Sequence, residues 1–474
     1  MRKLLILLLF QMPFVAVFPQ NHKDIKSGEE PPNFIFILAD DLGWADVGCY
    51  GNEFNETPNI DALAAEGVRF TNAYAAAPVC SPYRAALMTG QYPARLGITD
   101  YLRPDAADHL DTSYTTIAEM FQKNGYKTGI IGKWHLSGYT RQGAPEETLP
   151  DKHGFDEVMI SENRGIGAGS FFHPYHFNQE IEKKLPGKHE HLIDRQNQEA
   201  VAFIERNKEE PFFLYLSHYA VHTYVHGKPE LVDYFRKKKG AMTSPPHKKN
   251  PQNDPYKKWP ADFQAQNNNP HLAAQLFSID QGVGMIMKKL KDLGIAKNTI
   301  VVFTSDNGGE TNVTDNAPLR AGKSTLYEGG VRVPLVLWNP NDNKANAIED
   351  YPVANYDFYP TFMDLVGAQP GPQEFDGISL MEIFKGNQTS LGERIFYWHY
   401  PLEEQHFLGG RSSGSIRKGD WKLIEFFDSG EKELYNLKKD LGEKNNLASR
   451  YPDKVQALLL ALSAWREKME NQKL

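Results

Sequence analysis

Four apolar runs in this chain end in polar groups of the kind that handle anions and protons. NFIFIL (33–38) leads into Asp40 and Asp41, and YKTGIIGKW (126–134) carries Lys133 and is followed by His135. PFFLYLSH (211–218) brings His218 and then His222, and NTIVVFTSDNGG (298–309) brings Asp306 and Asn307. Adjacent carboxylates such as Asp40 and Asp41 repel one another unless a cation or cationic side chains compensate them. Together with Asp306 and the Asn307 amide they form an all-oxygen set with no compact His or Cys cluster. Such a set suits a hard cation such as Ca²⁺ or Mg²⁺ rather than zinc. A lone histidine is usually structural, so the case for His135 and His222 as proton carriers rests on their convergence with the other groups. VCSPYRAALMTG (79–90) places Arg84 four residues after Cys80 and leaves Cys80 open as a packed thiol, half of a disulfide, or a nucleophile. Lys323 lies in a Gly-rich, cationic stretch, NAPLRAGKSTLYEGGVRVP (316–334), that can approach an anionic group; alone it reads as a surface lysine.

The elements that must carry these groups alternate. Between the apolar runs lie helix-like segments, IDALAAEG (60–67), YTTIAEMFQKNG (114–125) and the segment 271–294, each closed by Gly. The alternation predicts an α/β fold with a large, mixed, mostly parallel central sheet flanked by helices, in which functional groups collect at the carboxyl ends of the strands. From about residue 386 the pattern shortens to RIFYWHYP, GSIRKGDWKLIEFF and KELYNL, then an amphipathic helix from about 452. This predicts a catalytic unit over 30–385 and a smaller subdomain over 386–474, with an antiparallel sheet and one helix.

With 474 residues, 41% of them hydrophobic, the chain can bury a large core, and a net charge of −8 argues against general nucleic-acid binding. MRKLLILLLFQMPFVAVF joins a positive start to a short, Pro-interrupted apolar run, so residues 1 to about 20 read as an export signal to the periplasm or beyond. No later segment has the length of apolar sequence that a transmembrane helix needs. Two cysteines, Cys49 and Cys80, are not a disulfide scaffold, though a single bridge between them stays open. The lysine-rich stretch from Arg236 to Asn269, with Lys at 237–239, 248–249 and 257–258, reads as a solvated excursion, with guidance of an anionic polymer as the alternative.

CSPYR followed by AALMTGQYPARLG resembles the signature of the formylglycine-dependent (type I) sulfatases of the alkaline phosphatase superfamily, Cys-x-Pro-x-Arg and then a Thr-Gly step. The resemblance continues through ADDLGW, GYKTGIIGKWHL, PFFLYLSHYAVHT, TSDNGG, PLRAGKSTLYEGGVRVP, DFYPTFMDLVG, GDWKLIEFF and ELYNLKKDLGEKNNLA, nearly the whole chain beyond the leader. It implies an alkaline phosphatase-like fold and a bacterial carbohydrate sulfatase. It implies further that a formylglycine-generating or sulfatase-maturating enzyme oxidises Cys80 to formylglycine (3-oxoalanine), which hydrates to a gem-diol. By the same resemblance Asp40, Asp41, residue 80, Asp306 and Asn307 hold calcium, and Arg84, Lys133 and Lys323 surround the sulfate. One diol oxygen would attack sulfur, His222 would protonate the departing oxygen, and His135 would take the proton of the second hydroxyl so that sulfate leaves and the aldehyde re-forms.

Two departures stand out: Tyr83 replaces a commonly smaller residue, and Val221 and Tyr224 replace the prolines of a Pro-His-Thr-Pro pattern around His222. His218 is then a substitute or a substrate contact. Trp398 and His399, and the FFHPYHF cluster (171–177) with His173, Tyr175 and His176, are candidate contacts to a sulfated oligosaccharide; packing between subdomains is the alternative. Two other readings remain: a phosphonate monoester hydrolase or phosphodiesterase of the same superfamily, and an inactive sugar-binding homologue with Cys80 unmodified. Under the resemblance Cys49 needs no disulfide and reads as a free thiol.

Overall fold

A computed structural model describes residues 30–165, 171–242, 255, 264–341 and 345–471. The expected export signal and the lysine pairs at 248–249 and 257–258 lie outside the described residues. The large sheet comprises β1 (Asn33–Ala39), β2 (Val68–Tyr74), β3 (Lys127–Gly132), β4 (Glu157–Met159), β5 (Phe212–Ser217), β6 (Thr299–Ser305), β7 (Arg332–Trp338), β8 (Ala347–Glu349) and β9 (Val353–Ala354). Its order is β4-β3-β5-β1-β6-β7-β2-β8, with β9 also on β2. The run from β4 to β6 is parallel, and β7 is antiparallel to both β6 and β2.

β1 lies between β5 and β6, and all seven of its residues are buried. A strand covered on both faces reads as an unbroken apolar run, which is why NFIFIL shows no alternation. Phe34, Phe36 and Leu38 enter one core with Phe121, Phe213 and Phe362, while Ile35 and Ile37 enter the other with Phe203, Leu276 and Ile279. Burying each such side chain contributes roughly 1.5–3 kcal/mol. The helix expected over 114–125 forms as Ile117–Lys123 because Thr116 starts it with a capping box: its Oγ1 accepts from Glu119 N, and Glu119 Oε2 accepts from Thr116 N. Five strands, β2, β4, β7, β8 and β9, fall in segments that the sequence pattern did not single out as strands.

The second sheet is an antiparallel meander of β10 (Ile395–Tyr400), β11 (Ser413–Lys418), β12 (Trp421–Phe426) and β13 (Lys432–Asn436). The helix Pro452–Glu470 buries Leu458, Leu462, Trp465 and Met469, one stripe at helical spacing, in a core that also contains Trp398, Leu423 and Leu434 of the meander. That core reaches Tyr74 and Tyr92 of the large unit, so the two sheets share packing. Among the described residues no helix is long and apolar enough to cross a membrane.

Between the sheets Lys422 is fully buried, 2.8 Å from Glu328 and 3.1 Å from Glu443. Burial, opposed by Lys422 and reinforced by Glu328, pushes the Glu443 carboxyl up to about 7. A carboxyl raised in the folded state contributes stability that is full below its unfolded value near 4.5 and is lost as pH rises through 7. Glu443→Gln keeps the neutral form at every pH. Its melting temperature relative to the parent is therefore expected to rise between pH 5 and pH 8, as read by calorimetry; a constant difference would refute the assignment.

Candidate active site

Cys80 is the first residue of the helix Cys80–Thr89, all ten residues of which are buried. Residues four apart share a helix face, so the Cys-x-x-x-Arg spacing puts Arg84 one turn beyond Cys80 on the same side. There Arg84 binds three strand ends: Nη1 donates to Ser217 Oγ at 2.6 Å, the last residue of β5, and to Lys133 O at 3.0 Å after β3, and Nη2 lies 2.7 Å from Asp306 Oδ2 after β6. The helix closes at Gly90, in the left-handed region at φ 70, where a side chain would also meet Phe375 and Tyr359.

The acids converge on the same point. Asp40 and Asp41 follow β1, and Asp41 turns at φ 61 so that its amide donates to Asp306 Oδ1 at 3.1 Å. Lys133 Nζ sits 2.6 Å from Asp40 Oδ2, and Lys323 Nζ sits 2.7 Å from Asp41 Oδ2. Asn307 donates through Nδ2 to Asp41 Oδ1 at 2.8 Å and to Gly308 O. Cys80 Sγ is 3.7 Å from Asp40 Oδ1. The structure thus brings Asp40, Asp41, Cys80, Arg84, Lys133, Asp306, Asn307 and Lys323 into one buried cluster, with three carboxylates set against three cations.

The donor set fits a hard cation. Ligand atoms of Asp40, Asp41 and Cys80 lie within 4.8 Å of one another. Asn307 Oδ1 is buried without a hydrogen-bond partner, a state that a buried amide oxygen rarely keeps unless it faces a ligand. Burial, then the neighbouring Asp306, pushes the Asp40 carboxyl up to about 8. Burial acts on Asp41 in the same sense, but Lys323, His222 and Lys133 outweigh it and hold that carboxyl below its ordinary value. An added cation relieves the repulsion that raises Asp40.

Each histidine has a defined hydrogen position. His135 Nε2 is 2.9 Å from the Leu102 carbonyl, which can only accept, so Nε2 carries the hydrogen. Nδ1 is left as a buried lone pair without a partner. Burial, then the charges of Lys133 and Arg84, lower its pKa well below the ordinary value and keep the ring neutral, the form a proton acceptor needs. His222 donates from Nδ1 to Thr223 O at 2.7 Å and holds Nε2 3.8 Å from Asp41 Oδ2. Its side chain is a quarter exposed, which places it at the mouth of the cluster. Glu310 Oε2 accepts from Thr223 Oγ1 at 2.8 Å and so fastens the segment that carries His222.

The remaining candidates stand elsewhere, and two are corrected by burial. His218 is fully buried behind the strand end, its Nδ1 3.3 Å from Gln196 Oε1, so it is neither a substitute for His222 nor a substrate contact. Trp398 is 2% exposed; its Nε1 donates to Ala75 O at 2.8 Å and its ring packs on Tyr74 and Phe396, so it is core between the sheets rather than a sugar platform. Trp398→Ala is accordingly expected to cost about 3–5 kcal/mol of stability. Calorimetry checks this, and an unchanged melting temperature would overturn it. His399 has its ring 5.6 Å from that of Phe427. His173 contacts Ile181 O through Nε2 at 2.8 Å and lies edge-on to the buried Tyr175, which donates to Glu190. These contacts do not bring His173 or His399 into the cluster. Cys49 and Cys80 are both free thiols. The groups missed in the sequence are the Leu102 carbonyl, Ser217 and Glu310. Only Glu310, directly after SDNGG, offered a residue-type signal.

A buried cluster of paired cations and carboxylates at the strand ends, with a neutral histidine and a second one at its mouth, suits the handling of an anionic ester, and the chain's relatives are sulfuric ester hydrolases. The chain belongs to the sulfatase family: the Sulfatase family profile matches residues 32–368, and the N-sulphoglucosamine sulphohydrolase, C-terminal profile matches residues 321–471. A sulfatase of Formosa agariphila is 31% identical over 92% of this chain and 88% of its own length. Arylsulfatase A of Homo sapiens is 31% identical over 90% of this chain and 86% of its own. The crystal structure of Ps i-CgsB in complex with k-i-k-neocarrahexaose matches with a TM-score of 0.76 at 30% identity, covering 92% of this chain and 93% of that one. At 24% identity, the BT4656 structure with D-glucosamine-2-N,6-O-disulfate shares the fold, with a TM-score of 0.72 and coverage of 93% and 99%.

Proposed function

We propose that the protein is an exported carbohydrate sulfatase that removes sulfate from a polysaccharide-derived oligosaccharide, using a formylglycine made from Cys80 and a calcium ion. The observation that carries this reading is the place of Cys80, which opens the buried helix that carries Arg84 and sets its Sγ 3.7 Å from Asp40 Oδ1, with ligand atoms of Asp40, Asp41 and Cys80 within 4.8 Å of one another. Burial, only partly offset by Lys133 and Lys323, pushes its thiol up to about 12, so at neutral pH it is no thiolate nucleophile despite its place at the focus of the cluster. Conversion to formylglycine supplies a hydrated diol at that same point. Asp40, Asp41, Asp306, Asn307 and residue 80 would hold calcium, which neutralises sulfate charge when bound.

The chain's own groups supply the rest. Arg84 is fixed by Asp306, Ser217 and Lys133 O, so it orients the start of the helix rather than moving with substrate. Lys133 and Lys323 stand ready to stabilise charge that develops on the sulfate oxygens. His222, at the mouth, protonates the departing sugar oxygen. His135, with Nδ1 free and Nε2–H held by Leu102, accepts the proton whose removal lets sulfate go. The oligosaccharide substrate is supported by the carbohydrate bound to Ps i-CgsB.

The test is a desulfation screen over defined sulfated saccharides with protein co-produced with a maturation enzyme, together with mass spectrometry of the peptide that holds residue 80. Sulfur at residue 80 is expected to be replaced by an aldehyde oxygen. EDTA is expected to abolish turnover and calcium to restore it. Active protein bearing only thiol, or turnover indifferent to EDTA, would refute the mechanism. A preference for aryl phosphonate over aryl sulfate would instead assign the phosphonate-hydrolase chemistry of a fold relative, the Agrobacterium radiobacter phosphonate monoester hydrolase.

A further inference from the structure

Leu102 is fastened to the reaction centre at both ends of its peptide. Its N–H donates to Ser81 Oγ at 3.0 Å, beside Cys80, and its carbonyl accepts His135 Nε2–H at 2.9 Å. Its neighbours Tyr101 and Arg103 therefore emerge next to the reactive residue. Leu102 is buried, Tyr101 half-buried and Arg103 exposed, with its guanidinium 5.1 Å from the Tyr101 ring centroid.

The segment 401–412, between β10 and β11, descends on the same rim from the second sheet. At Gly410 it packs so closely on the residue after Lys323 that a Cβ would stand 2.0 Å from Ser324 O. The segment sets His406 edge-on against Tyr101, ring centroids 5.7 Å apart, and stacks Phe407 on His406 at 4.4 Å. Phe407 is 78% exposed, more than any other large hydrophobic side chain among the described residues. His406 Nδ1 accepts from Leu408 N at 3.2 Å, so the neutral ring carries its hydrogen on Nε2. Burial, then Lys323, lowers His406 to about 4, so the ring is neutral at pH 7.

We propose that Tyr101, Arg103, His406 and Phe407 form the subsite for the sugar ring that bears the scissile sulfate. Phe407 offers an apolar face for the ring's C–H surface, His406 Nε2–H donates to a ring hydroxyl, and Arg103 meets a further anionic substituent of the same oligosaccharide. Glu403 and Glu404 are exposed on the same segment, so the rim suits a sparsely charged oligosaccharide rather than a densely sulfated polymer. This assignment rests on the sulfatase reading above, and it moves sugar recognition away from Trp398 to residues of two loops that meet only in the folded chain.

The test is isothermal titration of full-length Cys80→Ala protein with a carrageenan hexasaccharide and a chondroitin sulfate hexasaccharide, with heparin hexasaccharide for comparison. At least one of the first two is expected to bind more tightly than heparin. Phe407→Ala is expected to weaken that binding about tenfold or more, and Arg103→Gln severalfold with a shallower salt dependence. Both side chains are exposed, so the fold survives their removal, and Leu460→Ala, on the exposed face of the last helix, serves as a control that binds like the parent. Failure of both hexasaccharides to bind, tightest binding to heparin, or binding unaltered in Phe407→Ala would overturn the subsite. Desulfation by matured parent protein with unaltered binding in the variants would sink the subsite alone. Binding lost in the variants, with no desulfation by the matured parent, would sink the reaction alone.

Discussion

Cys80→Ala protein, produced beside the same maturation enzyme as the parent, is expected to turn over sulfate esters at about 10⁻⁴ of the parent rate or less. The cations, carboxylates and histidines remain in that variant, so the loss isolates the nucleophile. Cys80→Ser separates the two halves of the reaction. A serine hydroxyl can accept the sulfuryl group but has no second hydroxyl from which His135 could take a proton, so sulfate has no exit. The expected record is a burst of at most one equivalent of desulfated product per protein, followed by silence, read by rapid quench. Sustained turnover by Cys80→Ser would refute the release step assigned to His135. Unmodified parent chain should behave like the alanine variant, because a thiol held near 12 is hardly ionised at pH 7.

Arg84→Ala has the second-largest expected effect, and it acts on stability and rate together. Arg84 and Asp306 are both fully buried, with Asp40 a further 3.8 Å contact, so removing the guanidinium leaves carboxylates that Lys133 alone cannot compensate. Breaking a buried pair in this way costs about 3–5 kcal/mol. The loss also frees the Ser217 hydroxyl and the Lys133 carbonyl, which set where Lys133 stands, so kcat/KM is expected to fall by about 10²–10³. Arg84→Lys keeps the charge but has no planar fork to reach Asp306, Ser217 and Lys133 O at once, and it should recover little of either property. Calorimetry and steady-state kinetics on one preparation check both effects. A parent-like melting temperature in Arg84→Ala would show that the ion pair does not hold the strand ends together.

Much of this site was legible in the chain for a simple physical reason. A strand buried on both faces must be apolar throughout, so the point where NFIFILA gives way to Asp40 and Asp41 marks the functional edge of the sheet in the sequence itself. The same logic located Lys133, Asp306 and Asn307, and helical geometry tied Arg84 to Cys80. β2 and β7 were not legible. VRFTNAY mixes buried and half-buried positions, and RVPLVLW follows a long polar loop whose return to the sheet leaves no local mark.

Side-chain type and spacing therefore determined the family, the strand ends that carry the polar groups and the pairing of Cys80 with Arg84, because those depend on contacts within one strand or one helical turn. Tertiary structure decided the rest. β10 alternates buried and half-buried residues, which says that IFYWHY has two faces but not that Trp398 faces Tyr74 and the core. His218 and His222 stand four residues apart at the end of one strand, and only packing shows one sealed behind the sheet and the other open at the mouth. The hydrogen that sits on His135 Nε2 and leaves Nδ1 bare is placed by a carbonyl 33 residues away. The aromatic rim joins residues near 101 to residues near 406, a juxtaposition that exists only once the two sheets have packed together.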